Sequence, residues 1–213
     1  MGEGSGAIGA RLNEKLGEAG MDCLDSAVAA HFGDYCTLLL RWNARTNLTA
    51  VRDEDGILTR HFVESIACAR ALRPGIASLL DFGSGAGFPG IPIALCRPEI
   101  AVTLAESQGK KAAFLREAVR TLGLSAMVHS GRAETLPARF DCVTLRAVDR
   151  MGEAVRTASG LVSPGGLLVL MTTEAELEEL KSSLGAQLNW GDPRQLEGSR
   201  QGVLVVARVA DAG

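Results

Sequence analysis

The stretch Asp81-Phe82-Gly83-Ser84-Gly85-Ala86-Gly87 constrains this chain more than any other. It follows the apolar run Ile76-Ala77-Ser78-Leu79-Leu80, which reads as a buried strand, and it leads into Ile91-Pro92-Ile93-Ala94-Leu95, which can open a helix. A strand that breaks into alternate glycines and then into a helix is the turn of a nucleotide-type cofactor site. Each glycine lacks a Cβ, so the backbone can take a positive φ, turn tightly and admit a ligand to contact distance.

The pattern around the turn sets the fold class. Before it, Leu24, Val28, Phe32, Tyr35, Leu39 and Trp42 recur at helical spacing behind Asp22, a candidate N-cap. Leu58, Phe62, Ile66, Ala69 and Leu72 repeat the stripe until Pro74-Gly75 stops it, and a polar connector from Asn43 to Asp55 joins the two helices. After Gly75 the pattern alternates. Strands are expected at 77–82, 101–105, 126–129, 140–145, 166–171 and 203–208, and helices at 89–96, 109–122, 150–160 and 174–184, with a short turn near 133–136. Alternating β and α with short connections implies an α/β fold, a doubly wound, mostly parallel sheet whose ligand sits at the carboxyl ends of the strands. The division expected is a helical extension over 1–74 and a cofactor-binding domain over 75–213.

Composition narrows the class further. The chain has 213 residues, 46% of them hydrophobic, enough to bury a sizeable core. The five cysteines, at 23, 36, 68, 96 and 142, are odd in number and contain no Cys-x-x-Cys pair, which argues against a disulfide framework or a metal site and for a reducing cytoplasm. Neither a membrane-spanning run nor an export signal is read in the sequence, whose start is Met1-Gly2-Glu3-Gly4-Ser5-Gly6. A net charge of −3 carries no global nucleic-acid signal. The arginines at 41, 45, 52, 60, 70 and 73 nevertheless outnumber the acids at 53, 54, 55 and 64 in the same stretch, so one side can attract phosphate.

The turn alone is ambiguous. Gly85-Ala86-Gly87-Phe88-Pro89-Gly90 satisfies the G-x-G-x-x-G of dinucleotide folds, while Asp81-x-Gly83-x-Gly85-x-Gly87 fits the turn of S-adenosylmethionine (SAM) methyltransferases. Glu106, at the end of the next expected strand, can accept two ribose hydroxyls in either case. The catalytic inventory favours methyl transfer over an NAD(P)-dependent oxidoreductase. The single tyrosine, Tyr35, lies on an apolar stripe, and His31, His61 and His129 form no pair, each reading as a structural or surface residue. Methyl transfer to a nucleophile with a free lone pair needs neither, only alignment and exclusion of water.

Three segments together resemble the GidB family: Trp42-Asn43-Ala44-Arg45-Thr46-Asn47-Leu48-Thr49-Ala50, His61-Phe62-Val63-Glu64-Ser65-Ile66, and Asp81 through Gly87-Phe88-Pro89-Gly90-Ile91-Pro92. Glu106-Ser107-Gln108-Gly109-Lys110-Lys111, Gly131-Arg132-Ala133-Glu134 and Arg146-Ala147 follow in the family's order, so the resemblance covers about residues 20 to 170. It implies a class I SAM-dependent methyltransferase, Rossmann-like with an N-terminal helical extension. The implied reaction is methylation of N7 of a guanine, position 527 in the family, in 16S ribosomal RNA of the small subunit. The runner-up is a SAM methyltransferase of a small molecule or protein.

By this resemblance Gly83, Ser84, Gly85, Gly87 and Phe88 line the cofactor turn, Glu106, Ser107 and Gln108 surround the ribose and base edge, and Ala133 and Glu134 flank the adenine. Arg146 is placed near the methyl group and the incoming base, as a positioning group with no general base beside it. Arg41, Arg45, Asn47, Arg52, Lys110 and Lys111 are expected to face the RNA. A monomer without metal is expected. Two departures stand out: Glu64 occupies a position where the family often has Asp, and Thr172-Thr173 replace a Lys-Gly pair. The tail beyond 185 matches loosely and is given no role except a final strand.

Overall fold

The computed structural model describes residues 3–184, 188–197, 199 and 201–210. The outermost positions of both expected domains, 1–2 and 211–213, lie outside the described residues, as do 185–187, 198 and 200.

The chain opens with α1 (Glu3–Glu18) and α2 (Ser26–Thr46). The expected helical extension over 1–74 has no periodic stripe assigned before Asp22, and Gly4, Gly6, Gly9 and Gly17 in α1 are poor helix formers. Packing overrides that preference. Leu12 and Leu16 are fully buried, and the glycines let two backbones touch: a Cβ on Gly9 would fall 2.6 Å from the Ala29 carbonyl oxygen, and one on Gly33 2.1 Å from that of Ser5. The N-cap of α2 is Asp25 and not Asp22. The Asp25 carboxylate accepts the Ala27 N–H at 2.8 Å, whereas Asp22 offers its main-chain carbonyl to Arg70.

Asn47 ends α2 in the left-handed conformation (φ 50°, ψ 53°) that asparagine tolerates. The connector is shorter than its polar run suggests, since Asp53 caps a single turn, α3 (Glu54–Gly56), by accepting the Gly56 N–H at 2.8 Å. A π-helical stretch, Ile57–Val63, then passes into α4 (Glu64–Ala71). The expected stripe of Leu58, Phe62, Ile66, Ala69 and Leu72 is buried.

The sheet follows: β1 (Ser78–Phe82), α5 (Gly90–Cys96), β2 (Ala101–Ala105), α6 (Gly109–Thr121), β3 (Met127–His129), a 3-10 turn at Ala133–Thr135, β4 (Phe140–Arg146), α7 (Met151–Ser159), β5 (Val162–Thr173), α8 (Glu174–Leu184), β6 (Leu188–Trp190), β7 (Arg194–Gln195) and β8 (Gly202–Val209). Strand order is β3-β2-β1-β4-β5-β8-β6, with β7 on β8. The first five strands are parallel; β8 runs antiparallel to β5, β6 and β7. β5 is longer than its apolar run because Val162 already pairs with Phe140, before a register shift. β6 and β7 are too short to leave a periodic signal.

Leu79 and Leu80 point to opposite faces, as adjacent strand residues must, and enter two different cores. One core contains Leu12, Phe32, Phe62, Leu79, Leu104 and Leu204, so it runs from the first helix to the last strand. The other packs Leu80, Val143, Leu170 and Val205 against α7 and α8. β1 pairs with β2 on one side and β4 on the other, which makes their carboxyl ends the switch point where a crevice opens. No described helix is long and apolar enough to cross a membrane.

Candidate functional site

The turn after β1 takes the strained backbone that its glycines permit: φ is +70° at Gly83, +57° at Gly85 and +91° at Gly87. Two of these glycines have different jobs. A Cβ on Gly85 would meet only the Gly83 carbonyl oxygen, at 3.8 Å, so that face is open to a ligand. A Cβ on Gly87 would lie 2.5 Å from Ile91 Cδ1 and 2.8 Å from the Tyr35 hydroxyl, so Gly87 serves packing.

Two carboxylates hold the turn in shape. Asp81 is buried, accepts the Gly90 N–H at 3.1 Å and the Thr144 hydroxyl at 3.0 Å, and has its carbonyl bonded by Ser84 Oγ at 2.9 Å. Burial pushes its carboxyl up to about 6, against the pull of these hydrogen bonds. Glu106, also buried, accepts the Gly85 N–H at 2.9 Å with one oxygen and the Gln108 N–H at 2.7 Å with the other. A carboxylate has about four lone-pair sites, so capacity remains for ligand hydroxyls.

Above the carboxyl ends of β1, β2 and β4 lies a cleft of two compartments, about 310 and 320 Å³, which share Gly83, Glu106, Ser107, Val148 and Asp149. Each falls in the size range of small-molecule sites, about 300–1,000 Å³. Ala133 and Glu134 line the first. Ser84, Gly85, Phe88, Gln108, Lys111 and Arg146 line the second. These residues fit SAM by observation: an open glycine cradle, an acceptor carboxylate at the shared boundary, and a compartment on either side for the base and the amino-acid arm.

The far wall of the second compartment comes from the helical extension. Arg146, at the end of β4, pairs with Glu64, donates from Nη2 to the Arg60 carbonyl at 2.6 Å and from Nη1 to Ser65 Oγ at 3.3 Å, and lies 6.0 Å from the Phe88 ring centroid. Burial pushes the Glu64 carboxyl up and the Arg146 guanidinium down, and their attraction opposes both shifts. His61 stacks on Phe88 with centroids 4.5 Å apart, and its Nε2 is 2.8 Å from Thr49 Oγ1. Burial, then the charges of Arg146 and Arg60, press its imidazole down to about 3, so the ring is neutral at physiological pH. His61 is therefore a wall of the cleft and not the bystander its sequence position suggests. Ala147 and Arg150, with φ of 48° and 53°, bracket Val148 and Asp149 and turn that loop over the cleft. No glycine marks this loop, so the sequence carries no signal for it.

The residues expected to face RNA scatter more widely. Arg41, Arg45, Asn47, Arg52 and Lys110 lie outside the cleft lining. Arg41 is paired with Glu117 at 2.6 Å, and Arg52 bonds Asn47 Oδ1 at 2.6 Å and the Asn43 carbonyl at 3.1 Å. Trp42 packs edge-on against Phe114 and donates to Glu117 at 3.0 Å. Two acids of the basic stretch are engaged elsewhere, Glu54 by Arg11 and Asp55 by Lys15. Thr172 and Thr173 both turn to Glu176, which receives the Thr172 hydroxyl and donates its N–H to Thr173 Oγ1 at 3.3 Å. They secure the start of α8.

Comparison with known proteins agrees with this geometry. The GidB family model, described as rRNA small subunit methyltransferase G, matches residues 29–188. A protein named Ribosomal RNA small subunit methyltransferase G from Stenotrophomonas maltophilia is 44% identical over 177 residues, 82% of this chain and 81% of its own. Its namesake from Xanthomonas euvesicatoria pv. vesicatoria is 45% identical over 192 residues, 85% of this chain and 88% of its own. Among solved structures, a SAM-dependent methyltransferase from Aquifex aeolicus superposes with a TM-score of 0.59 at 16% identity, over 73% of this chain and 93% of that one. The match decides the ambiguity of the glycine turn in favour of SAM over a nicotinamide cofactor.

Proposed function

Because this chain belongs to the GidB family, and so is a SAM-dependent methyltransferase of small-subunit ribosomal RNA, we propose that it methylates N7 of a guanine in 16S RNA, at position 527 in the family. The observation that carries this reading is the two-compartment cleft whose floor is the open face of Gly85 and whose rim is the buried carboxylate of Glu106. When bound there, SAM supplies an electrophilic methyl group on a sulfonium centre.

The rest is positioning. Glu106 accepts the ribose hydroxyls, Ala133 and Glu134 flank the adenine, and Gly83, Ser84, Gly85, Ser107 and Gln108 shape the surface between them. Glu64 offsets the charge of Arg146, so the wall beside Phe88 offers N–H donors without a strong positive field. Three Arg146 donors are spent on Glu64, Arg60 and Ser65; Nε–H and one Nη1–H have no partner among the described residues, which leaves them for the incoming base. Neutral His61 stacked on Phe88 excludes water from the same wall. Guanine N7 keeps its lone pair at neutral pH, so attack requires no proton removal. Arg41, Arg45, Asn47, Arg52, Lys110 and Lys111 contact phosphate, Lys111 at the cleft lining and the others outside it. The test is to incubate labelled SAM with small subunits from a strain lacking this protein and map the label. Label on guanine N7 at one site supports the reading; label elsewhere, or none, overturns it.

A further inference from the structure

Tyr35 sits midway along α2, fully buried, and its hydroxyl donates a hydrogen bond to the carbonyl oxygen of Ala86, inside the glycine turn. Its ring stacks on Phe62 at 5.2 Å between centroids and packs on Phe88 at 5.5 Å. Phe88 in turn carries His61 and faces Arg146. Burial raises the phenol well above its ordinary pKa, so the O–H stays protonated and remains a donor. The turn itself can be held from only a few directions. Glu106 restrains Gly85 from the β2 side, and Ser84 accepts the Gly87 N–H through its carbonyl at 2.6 Å from within. Tyr35 reaches it from beneath, across 51 residues of sequence. The close fit at Gly87, where a Cβ would lie 2.8 Å from the Tyr35 hydroxyl, fixes the turn and the helix at one separation.

We propose that Tyr35 is a positioning residue for cofactor binding: by holding the Ala86 carbonyl it keeps Gly85 and Phe88 in the shape the ligand requires, and it makes α2 part of the cofactor site. The proposal rests on the reading that the turn binds SAM. Loss of the hydroxyl leaves the ring and its stacking in place but releases one anchor of a turn built from positive-φ residues. The turn then populates other shapes, and the ligand must bind a fraction of the molecules.

Tyr35→Phe tests this directly. Calorimetry should show SAM binding weakened about tenfold, the order expected for one lost hydrogen bond, with hydrogen exchange faster at residues 84–88 and unchanged in β1 and β4. A purely structural tyrosine would lower the melting temperature and leave SAM affinity and local exchange alone, and that result overturns the proposal. Gly85→Val, measured in parallel, separates the two layers. If Gly85→Val destroys SAM binding and Tyr35→Phe does not alter it, the site is right and the positioning role is wrong. If neither changes affinity, the cofactor lies elsewhere and both readings fall. Should Tyr35→Phe be too unstable for calorimetry, SAM must raise its melting temperature by less than it raises that of the wild type for the proposal to stand.

Discussion

Glu64 and Arg146 form an ion pair across the junction between the helical extension and the sheet, with side chains only 5% and 14% exposed. A charge that is buried with its partner is tolerable; one left alone is not. The pair is therefore a joint between α4 and β4 as well as a wall of the cleft.

Removing one partner should expose that asymmetry. Glu64→Gln strands a guanidinium and should lower unfolding free energy by about 3–5 kcal/mol in urea titrations. The double variant Glu64→Gln with Arg146→Met should recover much of the loss in stability, while methyl transfer falls because the Arg146 donors are gone. Equal stability in the single and double variants would mean the pair is effectively solvated.

Gly85→Val should eliminate SAM binding while the fold persists. The new side chain fills the open face of the cradle, and a β-branched residue at φ +57° adds about 1–3 kcal/mol of strain. Calorimetry reads the affinity and circular dichroism reads the fold.

Glu106→Ala should weaken SAM and its demethylated product alike, by about 1.5–3 kcal/mol for hydrogen bonds to a charged group. The Gly85 and Gln108 N–H groups lose their acceptor in the same step, so exchange at both amides should quicken. A variant with normal affinity for both ligands and no turnover would contradict this role.

His61 gives a pH signature. Its folded pKa, about 3, lies below the ordinary 6.5, so the fold favours the neutral ring. Its contribution is fully present above pH 6.5 and declines as pH falls towards 3, at about 1.4 kcal/mol per pH unit. Stability measured from pH 7 to pH 5 should fall more steeply for the wild type than for His61→Phe. Parallel profiles would show that the ring is solvated.

The RNA-facing cations are not equivalent. Arg41 and Arg52 are already engaged by protein acceptors, whereas Arg45, Lys110 and Lys111 have no ion-pair partner among the described residues. Each lost contact with single-stranded RNA should flatten the slope of log K against log salt by about 0.7. Neutralising Arg45, Lys110 and Lys111 should thus reduce the slope more than neutralising Arg41 and Arg52, with SAM affinity of the Arg45 variant unchanged. Methylation kinetics at several salt concentrations provide the comparison.

What the sequence made legible was local. The strand-turn-helix around Asp81–Gly87 is announced by glycines, and the acid directly after the next strand, Glu106, falls where the cleft needs it, because both signals sit within one βαβ unit. Tyr35 and His61 were opaque for the opposite reason. Each belongs to a helical stripe or its margin, and its partner is set by tertiary packing: Ala86 for one, Phe88 for the other. The helix α1 was hidden by the glycines that make it possible, since a residue poor for helix propensity is the one that allows α1 and α2 to touch.

The core that starts at Leu12 and Leu16 includes Met171 and Leu204. On the ribosome the first helices emerge long before those strands exist, so at first their apolar faces can cover only each other, α1 against α2 and the π-helical stretch. The extension can therefore consolidate in the order of synthesis, helix on helix and then against α5 and α6, while β8, made last, completes the sheet between β5 and β6.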